Sequence, residues 1–296
     1  MAGRLAFPLS QIAAVKAVAC ELPAQMELPF SRFSIGEVRR VVLDKGIVDA
    51  IGTTTLWELL HEDGIRPWNH HSWIFPRDPE FFDKGSRVVD LYARPWEGKP
   101  LGENDFVISA DEKTSIQARR RKHPCTPPGP NRVMRVEHEY VRNGALSYLA
   151  AYDVHRARVF GRCEKTTGMM AFAKLVNEVM EQEPYRSATR VFWIVDNGSS
   201  HRGVAACERL QNAWSNAILV HTPIHASWLN QVEIYFSILQ RKVLTPNHFQ
   251  SLKDLERTIL AFQERFSKLG KPFRWRFTRD DLRSYLAKLE RVPLAA

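Results

Sequence analysis

Residues 106–111 have the sequence Phe-Val-Ile-Ser-Ala-Asp, an apolar run that ends at a carboxylate, and residues 192–196 repeat this pattern as Phe-Trp-Ile-Val-Asp. Short apolar runs of this kind are typical of strands that are buried on both faces. A carboxylate at the end of such a strand is poorly solvated and needs a partner, a metal ion or a proton. If the two strands are neighbours, Asp111 and Asp196 lie together at one edge of the sheet.

The segments around these strands predict the order β-β-β-α-β-α-β-α. Strands are expected at 106–110, 146–153, 158–163, 190–195 and 217–221, and helices at 167–183, 203–214, 228–243 and 252–266. The three leading strands predict an antiparallel meander, and the later alternation adds parallel strands with crossover helices. This is the element order of the RNase H fold. The predicted class is therefore α/β with a mixed sheet. This inference rests on the order of the elements along the chain, because the order of the strands in the sheet is not visible in the sequence.

A third acid, Glu233, falls in the first two turns of the helix expected from Trp228, which would bring it to the same sheet edge. Three convergent carboxylates repel one another unless divalent cations neutralise them. Oxygen ligands favour Mg²⁺ or Mn²⁺, and two such ions activate a water or a 3′-hydroxyl in phosphodiester chemistry. The pattern thus predicts a catalytic, metal-binding triad. The alternative for Glu233 is a solvent-facing residue on an amphipathic helix.

Two further polar residues are candidates for roles beside the triad. Asn230 shares a helix face with Glu233, so it would orient that carboxylate or hold a water of the metal. Asp153 also ends a predicted strand. It is either an extra acid of the site or, as we favour, the start of a polar turn. His221 and His225 have helical zinc spacing, but Pro223 between them argues against a helix.

The N-terminal part has helical character. Ser34 and Glu37 form a predicted capping box, and a further helix is expected from Thr53 to Glu62. We interpret residues 1–66 as an all-α helix-turn-helix region, with Thr53, Thr54 and Thr55 offering hydroxyls to DNA. Plain helical packing is the alternative. Residues 67–103 are rich in proline and aromatic residues and are expected to be a linker that packs against the rest of the protein. A short helix is expected within it, from Pro79 to Tyr92. Residues 104–296 are expected to form the catalytic domain.

Composition narrows the class of protein. Apolar residues are 44% and charged residues 25%, as in ordinary globular proteins, and the apolar runs are too short for a membrane span. Four scattered cysteines indicate neither a zinc ribbon nor a disulfide framework. With no visible signal peptide, a cytoplasmic location is expected.

The charge is unevenly distributed. Lys and Arg number 42 against 33 Asp and Glu, for a net charge of +9, which favours a polyanionic partner. Between Lys113 and Arg142 there are eight basic residues and two acids. The predicted backbone contacts to DNA here are Lys113, Arg119, Arg120, Arg121 and Lys122. We expect this segment to be a loop, stiffened by prolines, that lies along DNA. A merely solvated loop is the alternative.

Three segments together resemble a known family. They are 109–117 (SADEKTSIQ), 193–201 (WIVDNGSSH) and 221–233 (HTPIHASWLNQVE), and they resemble the three catalytic motifs of DDE transposases of the mariner-like bacterial insertion-sequence family. The resemblance extends from about residue 8 to residue 285. Members usually carry a further helix-turn-helix before this point, so the N-terminus of this chain is expected to be shortened.

The resemblance implies roles for individual residues. Asp111, Asp196 and Glu233 match the metal-binding triad, which would hold two Mg²⁺ or Mn²⁺ ions. Asn197 and Asn230 are expected to lie just behind these ligands, and His201 and His225 are expected to contact DNA.

The implied activity is that of a DNA transposase. It would hydrolyse phosphodiesters at the element's terminal repeats and join the freed 3′-hydroxyls to target DNA. It would act as a homodimer on double-stranded DNA, associated with a bacterial nucleoid and not with a membrane. Two alternatives are a catalytically silent or truncated remnant that only binds DNA, and an RNase H-like nuclease without strand transfer.

Overall fold

The computed structural model describes residues 7–70, 76–198 and 204–290. The chain divides into two compact units, residues 1–74 and 75–296. Each unit has its own apolar core.

The first unit is built from helices α1 (Leu9–Cys20), α2 (Ile35–Asp44) and α3 (Thr53–Glu62), which all contact one another. The Ser34 hydroxyl accepts the N–H of Glu37 at 3.2 Å and caps α2, whereas the Glu37 carboxylate pairs with Arg40 at 2.9 Å, so only the Ser34 half of the predicted capping box forms. The Arg39 guanidinium donates to the carbonyl of Ile51 at 2.6 Å and ties α2 to the turn before α3. The inward faces of the helices form the core, with Val15, Val38, Val42, Leu56 and Leu60 almost fully buried.

The second unit is a mixed α/β domain. Its elements are α4 (Phe81–Ala93), β1 (Pro95–Trp96), β2 (Lys99–Pro100), β3 (Asp105–Arg121), β4 (Tyr140–Asp153), β5 (Arg158–Glu164), α5 (Met169–Met180), β6 (Arg190–Val195), α6 (Val204–Ala213), β7 (Ala217–His221), α7 (Val232–Lys242), α8 (Leu252–Leu269) and α9 (Arg279–Glu290).

The main sheet has the order β5-β4-β3-β6-β7. Strands β3, β4 and β5 form the predicted antiparallel meander, and β6 and β7 run parallel to β3. Between β3 and β6 the register continues to Ser109 opposite Ile194. The RNase H-like element order predicted from the sequence is therefore confirmed, with β3 at the centre of the sheet.

Successive side chains of β3 point to opposite faces of the sheet. Because these side chains are apolar, both faces need a cover, and helices provide it. Phe106 and Ile108 pack with α5 and α6 on one face, while Val107 packs on the other with α4, α7, α8 and α9. The central strands are consequently apolar on both sides, as their sequences indicated.

The segment 67–103 differs from the expected linker. Helix α4 lies within it, close to the predicted range, and Val88 and Leu91 of this helix are fully buried in the core of the second unit. The boundary between the units falls after residue 74. The apolar face of α4 is the physical reason, since an exposed linker would leave it in water.

The basic segment after Asp111 also differs from the prediction, because much of it is strand rather than loop. Strand β3 continues to Arg121 and pairs with β4 back to Tyr140, with two register shifts on the way. The outer edge of this ribbon is closed by the segment after α7. The Asn247 side chain accepts from the N–H of Arg119 and donates to the carbonyl of Gln117, at 3.0 and 2.7 Å.

Two further observations complete the fold. Helix α9 was not predicted, and Leu282 anchors it in the core that α4 shares. Among the described residues, no helix combines the length and the apolar character that crossing a membrane requires.

A tight contact between two strands gives a stability prediction. A Cβ at Gly161 would lie 2.5 Å from the Tyr148 hydroxyl, which is buried and donates to Gln263 at 2.9 Å. We expect Gly161→Ala to lower the free energy of unfolding by about 1–3 kcal/mol in urea denaturation, because overpacking forces the tyrosine to move. Gly102→Ala is the matched control, since its nearest contact is an ordinary 3.5 Å. Equal stability of the two variants would contradict the prediction.

Candidate active site

The central strand pair brings the first two acids together. Asp111 and Asp196 each follow the last registered pair, Ser109 and Ile194, by two residues. Because β3 and β6 are parallel neighbours, Asp196, which follows the end of β6, lies beside Asp111, which is still paired within β3 opposite Ala150. The structure thus places Asp111 and Asp196 side by side, as the sequence predicted.

Glu233 lies in the first turn of α7, and this turn is fixed to the sheet. The first N–H groups of a helix have no partner within it and must find one elsewhere. The Ser109 hydroxyl accepts the N–H of Val232 at 2.8 Å. The Tyr92 hydroxyl of α4 accepts the N–H of Gln231 at 3.3 Å and donates to the carbonyl of Leu229 at 2.7 Å. Central strand and flanking helix together therefore position the start of α7.

Asn230 is fully buried and connects the same elements. Its amide nitrogen donates to the carbonyl of Ala110 at 3.0 Å and makes a long contact of 3.5 Å with Asp111 Oδ2. Its amide oxygen accepts from the Ser109 hydroxyl. The side chain of Asn230 thus reaches Asp111, whereas the sequence had assigned it to Glu233.

Ser109 and Tyr92 are positioning residues that the sequence reasoning missed. For Ser109 a signal was present, because it is the single hydroxyl in an otherwise apolar buried run, and buried hydroxyls are nearly always hydrogen-bonded. Tyr92 gave no such signal, since it lies in the segment that was interpreted as a linker.

The electrostatics of the site are those of crowded, partly desolvated acids. Burial raises the pKa of Asp111 to about 7, and the charges of Asp196 and Glu233 add to the effect. Burial also raises the pKa of Glu233, Asp196 raises it further, and the charge of Lys113 opposes them. The charges of the three acids therefore interact, and the charge of Lys113 acts on Glu233.

Asp196 begins a turn that is attached to the end of β7. Its Oδ1 accepts the N–H of Gly198 at 2.7 Å, and Asn197 Nδ2 donates to the carbonyl of Thr222 at 2.7 Å. Asn197 thus supports the backbone beside Asp196. The exposed His225 lines the same cavity as Asp196 and has a left-handed backbone, with φ of 62°. His201 lies outside the described residues.

The loop after β7 is held by an acid that the sequence reasoning also missed. Asp78 is almost fully buried and accepts the N–H of Ile224 at 3.1 Å. Its charge is balanced by Lys84 at 3.0 Å. This contact fixes the loop that carries His225, across the cavity from Asp196.

The donor chemistry of the triad fits a hard divalent cation. Three carboxylates supply oxygen ligands, and their mutual repulsion is what a cation would offset. Within the described part of the chain, no three His, Cys, Asp or Glu side chains are already grouped tightly enough to hold one ion.

The residues predicted to contact DNA do not form one group. Thr53 and Thr54 are exposed at the start of α3 in the first unit, where Thr55 is partly buried. Arg119 and Arg121 lie on one face of the β3–β4 ribbon. Arg120 alternates to the other face, and Lys122 on that face forms an ion pair with Glu139 at 2.5 Å.

Asp153 is the start of a polar turn, as we favoured. Its Oδ1 accepts the N–H groups of His155 and Arg156 at 3.2 and 3.1 Å, and its Oδ2 accepts the Tyr185 hydroxyl at 2.7 Å. Asp153 is paired opposite Ile108, three residues before Asp111 on β3, whereas Asp111 is paired opposite Ala150. These partners account for its burial without a role in the triad.

Comparison with known proteins gives a family. The profile of the DDE superfamily endonucleases matches residues 107–256, which is half of the chain and includes all three acids. Among curated protein sequences, none matches this chain.

Solved structures share the fold. The crystal structure of a pre-cleavage Mos1 transpososome has a TM-score of 0.51 and 14% identity, covering 89% of this chain and 81% of that chain. The crystal structure of the mariner Mos1 paired end complex with Mg has a TM-score of 0.48 and 15% identity, covering 88% and 80%. At such identities the first match shows a common fold, and the second adds nothing to it.

The raised pKa of Asp111 gives a prediction for the metal-free protein. Folding raises this pKa from its ordinary value near 4 to about 7, so the native state favours the protonated acid. Stability should therefore fall as the pH rises from 4 to 7, by up to about 1.4 kcal/mol per pH unit from this group, and then level off. We expect Asp111→Asn to remove this fall, measured by urea denaturation in EDTA at several pH values.

The neighbouring acid provides the control. Glu112→Gln removes the same charge one residue along, and the charge of Glu112 is the smallest influence on the pKa of Asp111, while its backbone N–H, which donates to Asp111, is kept. Its stability should keep the wild-type pH dependence. If the free energies of unfolding of Asp111→Asn and of wild type change in parallel between pH 4 and 7, the pKa of Asp111 is not raised as predicted.

Proposed function

The chain belongs to the DDE superfamily endonucleases, and we propose that it is the transposase of a mobile DNA element. The observation that carries this proposal is the convergence of Asp111, Asp196 and Glu233 at one sheet edge, where each of two strands and one helix contributes an acid. A solved structure with the same fold is that of a transpososome. The proposed reaction is phosphodiester hydrolysis at the element ends, followed by transfer of the 3′-hydroxyl into target DNA.

In this proposal the three carboxylates bind two Mg²⁺ or Mn²⁺ ions. When bound, such ions favour deprotonation of the attacking water or 3′-hydroxyl and stabilise the leaving oxygen. The chain's own residues hold the ligands in place. Asn230 and Ser109 fix Asp111 and the start of α7, and Asn197 supports the turn at Asp196. No protein nucleophile is required.

The remaining contacts in the proposal are to double-stranded DNA. The hydroxyls of Thr53, Thr54 and Thr55 would contact the terminal repeats, and Lys113, Arg119 and Arg121 of the β3–β4 ribbon would contact the backbone near the active site. His201 and His225 would contact DNA, and His225 would do so near the reacting phosphate. Because two ends must be joined, the protein would act as a homodimer on DNA, in the cytoplasm of a bacterial cell and at its nucleoid.

Cleavage of a plasmid that carries the flanking genomic repeats tests this function. We expect nicking that requires Mg²⁺ or Mn²⁺ and joining of the products to a second DNA. Asp196→Asn should lower the rate by more than about 100-fold, since even residues behind metal ligands cost about 10- to 100-fold. Glu112→Gln is the control, because it removes a neighbouring charge outside the triad, and it should keep activity within a few-fold of wild type.

Each other outcome identifies an alternative. Metal-dependent cutting without joining would indicate a nuclease. DNA binding without cutting, and unchanged by Asp196→Asn, would indicate a remnant that only binds DNA. Equal activity of wild type and Asp196→Asn would contradict the role of the triad altogether.

A further inference from the structure

One face of the β3–β4 ribbon collects three arginines. Arg119 is directly opposite Arg142, and Arg121 is directly opposite Tyr140. Residues that face each other in an antiparallel pair, and residues two apart on one strand, share a face. Arg119, Arg121, Tyr140 and Arg142 therefore form one patch, which we term the arginine face.

The arginine face carries charge that the protein itself leaves unbalanced. Like charges directly opposite each other destabilise a strand pair. Arg119 and Arg142 have this placement. The three arginines surround Tyr140 and lower its pKa, Arg142 by a hydrogen bond and the others by their charge. The Arg119 and Arg121 guanidiniums lie 4.8 and 5.3 Å from the centre of its ring.

The nearby acids are engaged elsewhere. Glu139 pairs with Lys122 on the opposite face, and Glu137 accepts the N–H of Glu139 at 3.1 Å. Within the described residues, none of the three arginines forms an ion pair with a carboxylate. Arg121 is held by the backbone carbonyls of Asn247, Glu137 and His138, so Arg119 and Arg142 are the more available pair. A cluster of cations that costs stability and has no protein anion beside it is typical of a binding site for an external anion.

The arginine face continues towards the triad. A groove of about 480 Å³ runs between β3 and the segment after α7, and it is lined by Arg119, Arg121, Gln117, Lys113, Gln240 and Thr245. Its inner end is at Lys113, whose charge acts on Glu233. Donors thus follow the strand from the active site outward.

We propose that the arginine face and this groove bind the backbone of one nucleic-acid strand that leads away from the triad, with Arg142 as a contact and Arg120 and Lys122 outside it. This rests on the proposed function only in taking DNA as the substrate. From Lys113 to Arg121 the strand spans about 26 Å at about 3.3 Å per residue, which is long enough to follow several consecutive phosphates of one strand.

Strand alternation places neighbouring cations of this segment on opposite faces of the ribbon. Arg119, Arg120, Arg121 and Lys122 are consecutive cations. Arg120 faces away from the arginine face, opposite Val141, and is exposed. Arg120→Gln is thus a matched control for Arg119→Gln and Arg142→Gln, because each removes one exposed or half-exposed positive charge from the same ribbon.

The test is binding of a labelled 30-base-pair duplex of arbitrary sequence to the full chain in EDTA, followed by fluorescence anisotropy over a range of NaCl concentrations. Phosphate contacts do not depend on sequence, and each one contributes about 1 to the slope of log affinity against log salt. We expect Arg119→Gln/Arg142→Gln to lower that slope by about 2 and to weaken binding at least about tenfold at low salt. Arg120→Gln should bind within twofold of wild type, as should Arg142→Lys, which keeps the charge.

Two results would overturn the proposal. One is equal weakening by Arg120→Gln and Arg142→Gln, which would indicate only a general effect of net charge. The other is an unchanged slope in the double variant with an unchanged melting temperature. If the double variant melts lower, the comparison of Arg142→Gln with Arg142→Lys decides alone. Since neither cleavage nor the terminal repeats enter this measurement, its outcome is separate from that of the plasmid assay.

Discussion

The constraint on which the second unit depends is the burial of a carboxylate, Asp111, beside two others. A desolvated acid next to like charges is unfavourable, and here its pKa is raised to about 7. A fold tolerates such a group only if the surrounding structure holds it in place. The parallel pairing of β3 with β6 and the attachment of α7 to β3 provide that restraint.

Ser109 shows how the restraint is built. Its hydroxyl donates to Asn230 and accepts from the first turn of α7. One buried side chain in the strand thereby fixes both the amide that reaches Asp111 and the helix that carries Glu233. The relative position of two acids far apart in sequence is consequently set by a short chain of hydrogen bonds and not by loop geometry.

Much of this could be predicted from the sequence, and the exceptions have physical causes. Apolar runs that end in acids are local patterns, so the central strands and the triad were recognisable. The extension of β3 to Arg121 was not, because its outer edge is completed by Asn247, more than a hundred residues away. Helix α4 and its packing were predicted, but not its place in the core of the second unit, since its proline and aromatic content resembles that of a linker. The partner of Asn230 was misassigned because helical spacing relates it to Glu233, whereas its tertiary neighbour is Asp111.

Strand β3 also determines how acids and cations are arranged on the second unit. The triad concentrates negative charge at the sheet edge, which by itself would repel a phosphodiester. The cations of β3 begin at Lys113, two residues beyond Asp111 on the same strand, and continue along the ribbon. The pairing of β3 with β4 on one edge, and the contacts of Asn247 on the other, hold these cations on the strand that carries Asp111. A polyanion attracted by the outer arginines would therefore be brought to the acids by the geometry of a single strand, and cations bound by the triad would remove the last repulsion.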